Sequence, residues 1–240
     1  MTFNSDKGYS IYEDKVVDGT SIEKVNREVL ADYKKLINAE NLEDEIVLEF
    51  DGFMRDGKLT VAGVLIFGQK VAYEFPQSKL QFIRYNGIKT DIKSRFDEII
   101  SMEFTGPLPF LIQEGYRSIK FQLCEHEKYP EYLWARGIIN ALIHRDYSLT
   151  NDCVRVVMYD DQLEIFSPGG LTDGVSLENM RYTKLSRNPR LTKTIKRLGL
   201  IRESNEGINK KIDTGKQMIS EYTEPYGSAV VLRLANNSLR

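Results

Sequence analysis

The chain has 240 residues, 41% of them hydrophobic and 28% charged. That is the balance of a folded protein of one large or two small domains, long enough to bury a core without metal or disulfide help. A net charge of −2, two cysteines without CxxC spacing and only two histidines exclude a wholesale polyanion binder and a structural zinc site.

So few cysteines suit a reducing cytoplasm, where the chain is expected. The longest apolar run, Val61 to Phe67, is far too short to span a bilayer. Residues 1–6 show no signal peptide, and residues 1–19, polar and without a period, read as a leader. Thr20 to Glu23 spells a capping box, and Ile22, Val25, Val29, Leu30, Tyr33, Leu36 and Ile37 recur at helical spacing, which predicts a helix of about four or five turns. A second short helix is expected from Leu42 to about Phe50. Asp56-Gly57 signals a turn, after which Thr60 can cap the segment 61–67 and Gly68 can end it in the left-handed region.

Residues 79–85 alternate as a strand. Gly106-Pro107 opens a helix with Leu108, Leu111, Ile112, Gly115 and Ile119 on one side. The charged break Glu125–Lys128 is taken as a boundary between a central domain, 20–128, and a C-terminal domain, 129–240. In the latter, Leu133, Trp134, Gly137, Ile138, Ala141 and Leu142 form a helical stripe. Strands 154–159 and 163–166 make a hairpin at Asp160-Asp161, ended by Pro168-Gly169-Gly170. A polar loop, 171–187, leads to Asn188-Pro189, an N-cap followed by proline at the first helical position, and Gly199 closes that helix. Residues 228–234 form a last strand.

The most distinctive stretch is Asn140-Ala-Leu-Ile-His144-Arg-Asp146-Tyr-Ser148. Arg136, Asn140 and His144 share one flank of a helix beside the apolar stripe. On pattern alone this is first a helix end capped by its own polar residues. The order of motifs adds more: DGKLTVAGVLIFG (56–68), FPQ (75–77), EFTGPL (103–108), NALIHRDYS (140–148), LEIFSPGGL (163–171), RNP (187–189) and RLGLIRESNEGI (197–208). This ordered set, across roughly residues 20–235, resembles the RecG-related family of transcriptional regulators in its central and C-terminal regions. The N-terminal Schlafen AlbA-like domain of many relatives is not seen.

The resemblance implies an α/β (α+β) fold of two lobes, the C-terminal one an α/β sandwich with a mostly antiparallel sheet, similar to the GHKL or Bergerat ATPases. In that fold a helical Asn ligates Mg²⁺ beside the triphosphate, and Asn140 matches it. His144 matches the N-A-x-x-H pattern of some sensor kinases. Gly169 and Gly170 fall at a glycine motif, 171–187 at a lid, and Gly207 near a second glycine motif. ATP and Mg²⁺ are the implied ligands. Lys184, Arg187 and Arg190 would border the lid and supply positive charge, while Asp146 pairs with an arginine or caps the turn. Two departures stand out. Ser167 replaces the adenine-reading Asp, and Arg136 stands where hydrolysing members carry a Glu base, a role arginine cannot fill.

Segment 181–216 holds 11 Lys/Arg against three acids, net +8, which leaves −10 for the remainder. Such segregation suits a triphosphate or a nucleic-acid backbone, or else a solvated helix face. The expected role is a nucleotide-binding regulatory module of a DNA-linked transcriptional regulator. The alternatives are a DNA-associated ATP hydrolase and a nucleotide-free scaffold. A homodimer is expected, with only weak DNA binding by this chain and no membrane association.

Overall fold

A computed structural model describes residues 11–91, 97–124, 129–180, 182–183, 185–200, 218–225 and 228–236. The first helix, α1, spans Arg27–Leu36, and α2 spans Asp44–Phe50. The short strands β1, Met54–Arg55, and β2, Lys58–Leu59, flank Asp56 and Gly57. Both turn residues have positive φ, as a tight two-residue hairpin requires. Helix α3, Val61–Phe67, follows Thr60, whose Oγ1 accepts from the Gly63 N–H at 3.2 Å. All seven of its residues are buried, as an all-apolar helix must be, and it lies at the centre of the first half of the chain. Tyr33, Phe53 and Phe67 pack edge to face around it. The short helix α4, Val71–Glu74, leads to the sheet.

The strands β3, Lys79–Tyr85, and β4, Glu98–Thr105, form an antiparallel pair. Helix α5, Leu108–Cys124, and helix α6, Glu131–His144, follow. Then come β5, Val154–Met158, β6, Gln162–Pro168, helix α7, Pro189–Arg197, β7, Met218–Thr223, and β8, Ala229–Asn236. The main sheet is mixed, in the order β4-β3-β5-β6-β8-β7. Only β3 and β5 run parallel; the other neighbours are antiparallel. Leu80, Phe82, Val154, Val156, Met158 and Ile165 are buried, whereas the alternating Gln81, Ile83, Arg155, Val157 and Glu164 are half exposed. Helices α5 and α6 therefore cover one face of the sheet, and the other meets solvent.

Three local expectations differ. The helix read from Thr20 begins only at Arg27, capped by Asn26, because Val25 bridges Gly68 and the Asn26 N–H is held by the Phe67 carbonyl at 2.6 Å. Thr20 is a buried joint instead: its Oγ1 donates to Val17 O and accepts from Leu59 N–H. Gly68 has φ −65°, so extended backbone rather than a left-handed residue ends α3. Residues 11–19, read as part of a leader, are packed into the fold, with Val16 bridged to Thr60 and Glu13 buried. The edge strands β4 and β7 were not among the expected elements, although Ile100, Met102 and Phe104 of β4 alternate with Ser101, Glu103 and Thr105. The sheet also crosses the boundary drawn near residue 128, since β3 pairs with β5; the break 125–128 itself lies outside the described residues.

Candidate functional site

Helix α6 lies across β6 and β8 at a point where only glycine fits. A Cβ on Gly137 would stand 2.7 Å from both Ile165 Cδ1 and Leu232 Cδ2. This close approach fixes the helix over the sheet and turns the flank of Asn140 and His144 toward the loop after β6. A cleft of about 840 Å³, counted with its open mouth, forms there. Asn140 and His144 line one side, Gly169 and Gly170 the other. Ile165 and Ser167 lie in the floor, and Val175, Met180 and Leu185 contribute apolar walls.

The half-buried Asn140 carboxamide lines the cleft and makes no hydrogen bond to another described residue. His144 opens onto the cleft yet is crowded by protein. Desolvation first, and then the Arg187 charge, push its pKa below the ordinary 6.5. Its tautomer follows from its neighbours. Thr192 Oγ1 donates to Asn188 O at 2.9 Å, so Ser186 Oγ must donate to Thr192 at 2.8 Å. Ser186 Oγ then accepts from His144 Nδ1–H at 3.2 Å, which leaves Nε2 an acceptor in the neutral ring.

Asp146 is spent on structure. Its Oδ1 accepts from the Ser148 N–H and hydroxyl at 3.0 and 2.6 Å, and its Oδ2 pairs with Arg187 at 2.9 Å. Arg187 also donates to Gly170 O at 2.7 Å, so it staples the end of the 171–187 loop to the glycine pair. Gly169 has φ +99°, and a Cβ there would stand 2.5 Å from Asp146 Cβ. That glycine is required by the turn beside it as well as by the cleft. Ser167 Oγ donates to Ala141 O at 2.8 Å, tying β6 to α6.

The structure does not bring Arg190 to the cleft. Its guanidinium lies on Asp14, at 2.8 and 3.0 Å, and on the Asp51 carbonyl, so its expected role beside the lid is corrected. Arg197 likewise pairs with Tyr33 and Asp51. Arg190 and Arg197 of the basic segment thus answer acids of the N-terminal half. Lys184 and Gly207 lie outside the described residues. Arg136 is exposed on α6 and does not line the cleft.

Several residues that shape the site were missed. Arg145, 1% exposed, donates to the carbonyls of Asp146, Leu149 and Asp152 and moulds the turn after α6. Asn188 Nδ2 donates to Ile143 O at 2.9 Å and Arg145 O at 2.8 Å, closing the C-terminus of α6. Gln77 Nε2 holds Tyr147 O at 3.2 Å. Glu13 accepts from the N–H groups of Arg190 and Leu191 at 2.7 and 3.0 Å and caps α7. The motifs FPQ, NALIHRDYS and RNP therefore meet at one turn. Their convergence was the available signal: each holds a polar side chain that no periodicity explains.

Residues 151–225 match a protein-family model described as "Putative ATP-dependent DNA helicase recG C-terminal". This part of the chain is similar to a RecG-related, ATPase-like region. The match begins after α6, so Asn140 and His144 stand outside it. Among solved structures, the DIP2311 protein of Corynebacterium diphtheriae superposes with a TM-score of 0.71 at 20% identity, over 97% of this chain and 41% of that one. The likeness shows a shared fold. The present chain spans less than half the length of that relative. No curated protein matches. The mixed α/β architecture, with α6 packed on an antiparallel β5-β6-β8-β7 sheet, is that of a GHKL-like sandwich.

Among the described residues, no helix is long and apolar enough to cross a membrane, and no three His, Cys, Asp or Glu residues cluster to hold a metal. A divalent cation at this cleft would need oxygens from its ligand. The neutral oxygen of Asn140 fits that division of labour.

Proposed function

We propose that the cleft between α6 and the glycine pair binds a nucleoside triphosphate with Mg²⁺, as the regulatory module of a DNA-linked transcriptional regulator. One observation carries this reading: Asn140, His144, Gly169 and Gly170, separated by up to 30 positions, line one cleft, and the Asn140 carboxamide makes no hydrogen bond to another described residue. Asn140 would hold the cation, whose charge offsets that of the triphosphate when bound. His144, neutral at pH 7, would gain a proton beside phosphate and donate from Nε2. Arg187 keeps Gly170 in place behind it. Hydrolysis is not part of the proposal, because exposed Arg136 supplies no base. DNA contact belongs to the longer regulator; with Arg190 and Arg197 engaged internally, this chain binds duplex DNA weakly and with steep salt dependence.

A second reading, a scaffold that has lost its nucleotide, is favoured by Ser167, whose hydroxyl proton is committed to Ala141 O where a carboxylate would read adenine. Calorimetry with ATP, a non-hydrolysable analogue and Mg²⁺ separates the two. Asn140→Ala should weaken Mg²⁺-nucleotide binding about tenfold or more while moving the apo thermal midpoint by less than about 2 °C, since no hydrogen bond to a described residue is lost. Heat of binding absent at millimolar nucleotide selects the scaffold. An Asn140→Ala chain that melts early yet keeps wild-type affinity sinks the site assignment.

A further inference from the structure

Helix α7 takes its N-terminal cap from a distant part of the chain. Asn188 holds the cap position, with Pro189 next to it at the first helical position, and asparagine is among the residues that fill a cap best. A capping carboxamide accepts through Oδ1 from the N–H groups two and three positions on, which here are those of Arg190 and Leu191. The Asn188 side chain makes no such bond. Glu13 takes both N–H groups instead, Oε1 accepting from Arg190 at 2.7 Å and Oε2 from Leu191 at 3.0 Å. Asn188 is thereby released for another task, and its Nδ2 donates to Ile143 O and Arg145 O at the end of α6.

One side chain therefore has two competing uses. On its own helix it would cap α7; on the neighbouring helix it closes α6. Oδ1 and Nδ2 share one carbon, so turning the oxygen onto the α7 N–H groups carries the nitrogen off the α6 carbonyls.

The segment that decides between them is a single 3₁₀ turn, Tyr12–Asp14. Glu13 is 1% exposed, and Asp14 grips the Arg190 guanidinium at 2.8 and 3.0 Å. From Lys15 onward the chain is fixed beside α3: Lys15 O accepts from the Val61 N–H at 2.8 Å, and Val16 bridges Thr60. The turn 12–14 is thus an arm laid from the α3 side onto α7. Burial pushes the Glu13 carboxyl above its ordinary 4.5, against the pull of the two N–H groups. The contact keeps a carboxylate out of water, which lowers the resistance to lifting it.

The two residues before Asn188 serve the cleft directly. Ser186 Oγ holds His144 Nδ1, and Arg187 joins Asp146 to Gly170 O. A turn of Asn188 is therefore felt at both.

We infer that Glu13 is a positioning residue for the cleft and acts through Asn188. While the 12–14 turn lies on α7, Asn188 closes α6, and His144 and Arg187 are held. When the turn lifts, Asn188 swings to cap α7, the α6 carbonyls open to water, and the His144 contact and the Arg187 staple loosen. The two states differ in which helix Asn188 serves, whatever the cleft binds.

NMR of the intact, unliganded chain tests this, with the buried Ile138 amide of α6 as the internal reference for general destabilisation. In Glu13→Ala the Arg190 and Leu191 amides should exchange within about threefold of the wild type, because Asn188 Oδ1 replaces the carboxylate, whereas Glu13→Ala combined with Asn188→Ala should exchange there about tenfold faster or more. In Glu13→Ala the His144 midpoint should also rise toward 6.5, since entry of water and retreat of Arg187 relieve both causes of its depression. Glu13→Gln keeps the side-chain volume but sets an NH₂ against one N–H group. It should move His144 the same way by less, and it carries the test if Glu13→Ala does not fold. A cap with a purely structural role gives the opposite pattern: fast exchange at Arg190 and Leu191 already in Glu13→Ala, and a His144 midpoint that stays where it was. Either result in a folded variant overturns the proposal.

Discussion

Asn188 offers the sharpest test of how the cleft is built. It is 1% exposed, and its Nδ2 donates to two carbonyls, Ile143 O and Arg145 O, at the end of α6. These are groups that a helix C-terminus leaves without an internal partner. Asn188→Ala removes both donors and brings no water with it. Each buried carbonyl left unsatisfied costs about 1–3 kcal/mol, so a total of about 3 kcal/mol is expected. For a chain of this length that is a fall of roughly 6–12 °C in Tm. Asn188→Asp is nearly isosteric and should be worse above pH 5, because it places a carboxylate against two carbonyl oxygens. Protonation at lower pH returns one donor and should narrow its deficit relative to Ala. Urea unfolding followed by circular dichroism gives the comparison, provided the m value is unchanged. If Asn188→Asp matches the wild type at pH 7, or Asn188→Ala costs less than about 0.5 kcal/mol, the closure of α6 by this side chain is refuted.

Two further outcomes follow from the cleft. Gly169→Ala meets both a φ of +99° and the Asp146 Cβ, so it should lower stability by about 2 kcal/mol or more and loosen the Arg187 staple, read by thermal melting and by faster amide exchange at Gly170. The His144 ring should titrate below 6.5 by NMR. Because the native state binds this proton less readily than the unfolded chain, its contribution to stability is complete above pH 6.5 and eroded as pH falls toward the native midpoint. Arg187→Gln should raise that midpoint without restoring the ordinary value, since desolvation is the larger cause; an unshifted midpoint would contradict the geometry.

What the sequence determined by itself was local. The apolar run 61–67 with its Thr60 cap, the stripe on α6, the 79–85 and 154–166 strands and the proline at the first position of α7 are each specified by neighbours within a few residues, where period, cap and turn chemistry act. The flank shared by Asn140 and His144 is equally a consequence of helical spacing. Tertiary structure decided the rest, because it depends on which distant groups meet. β4 does carry a period of two, Ile100, Met102 and Phe104 against Ser101, Glu103 and Thr105; its place at the end of the sheet followed only from the pairing of β3 with β5 on the far side. Thr20 looked like a cap, but Ser21 caps only one short helical turn, Ile22–Lys24, before long-range pairing of Val25 with Gly68 ends it. Arg190 looked like a lid residue, and only folding reveals that Asp14, 176 positions away, takes its charge. Arg145 and Asn188 have no periodic signature at all. Their necessity arises when a helix end is buried and its carbonyls, cut off from water, must find donors from elsewhere in the chain.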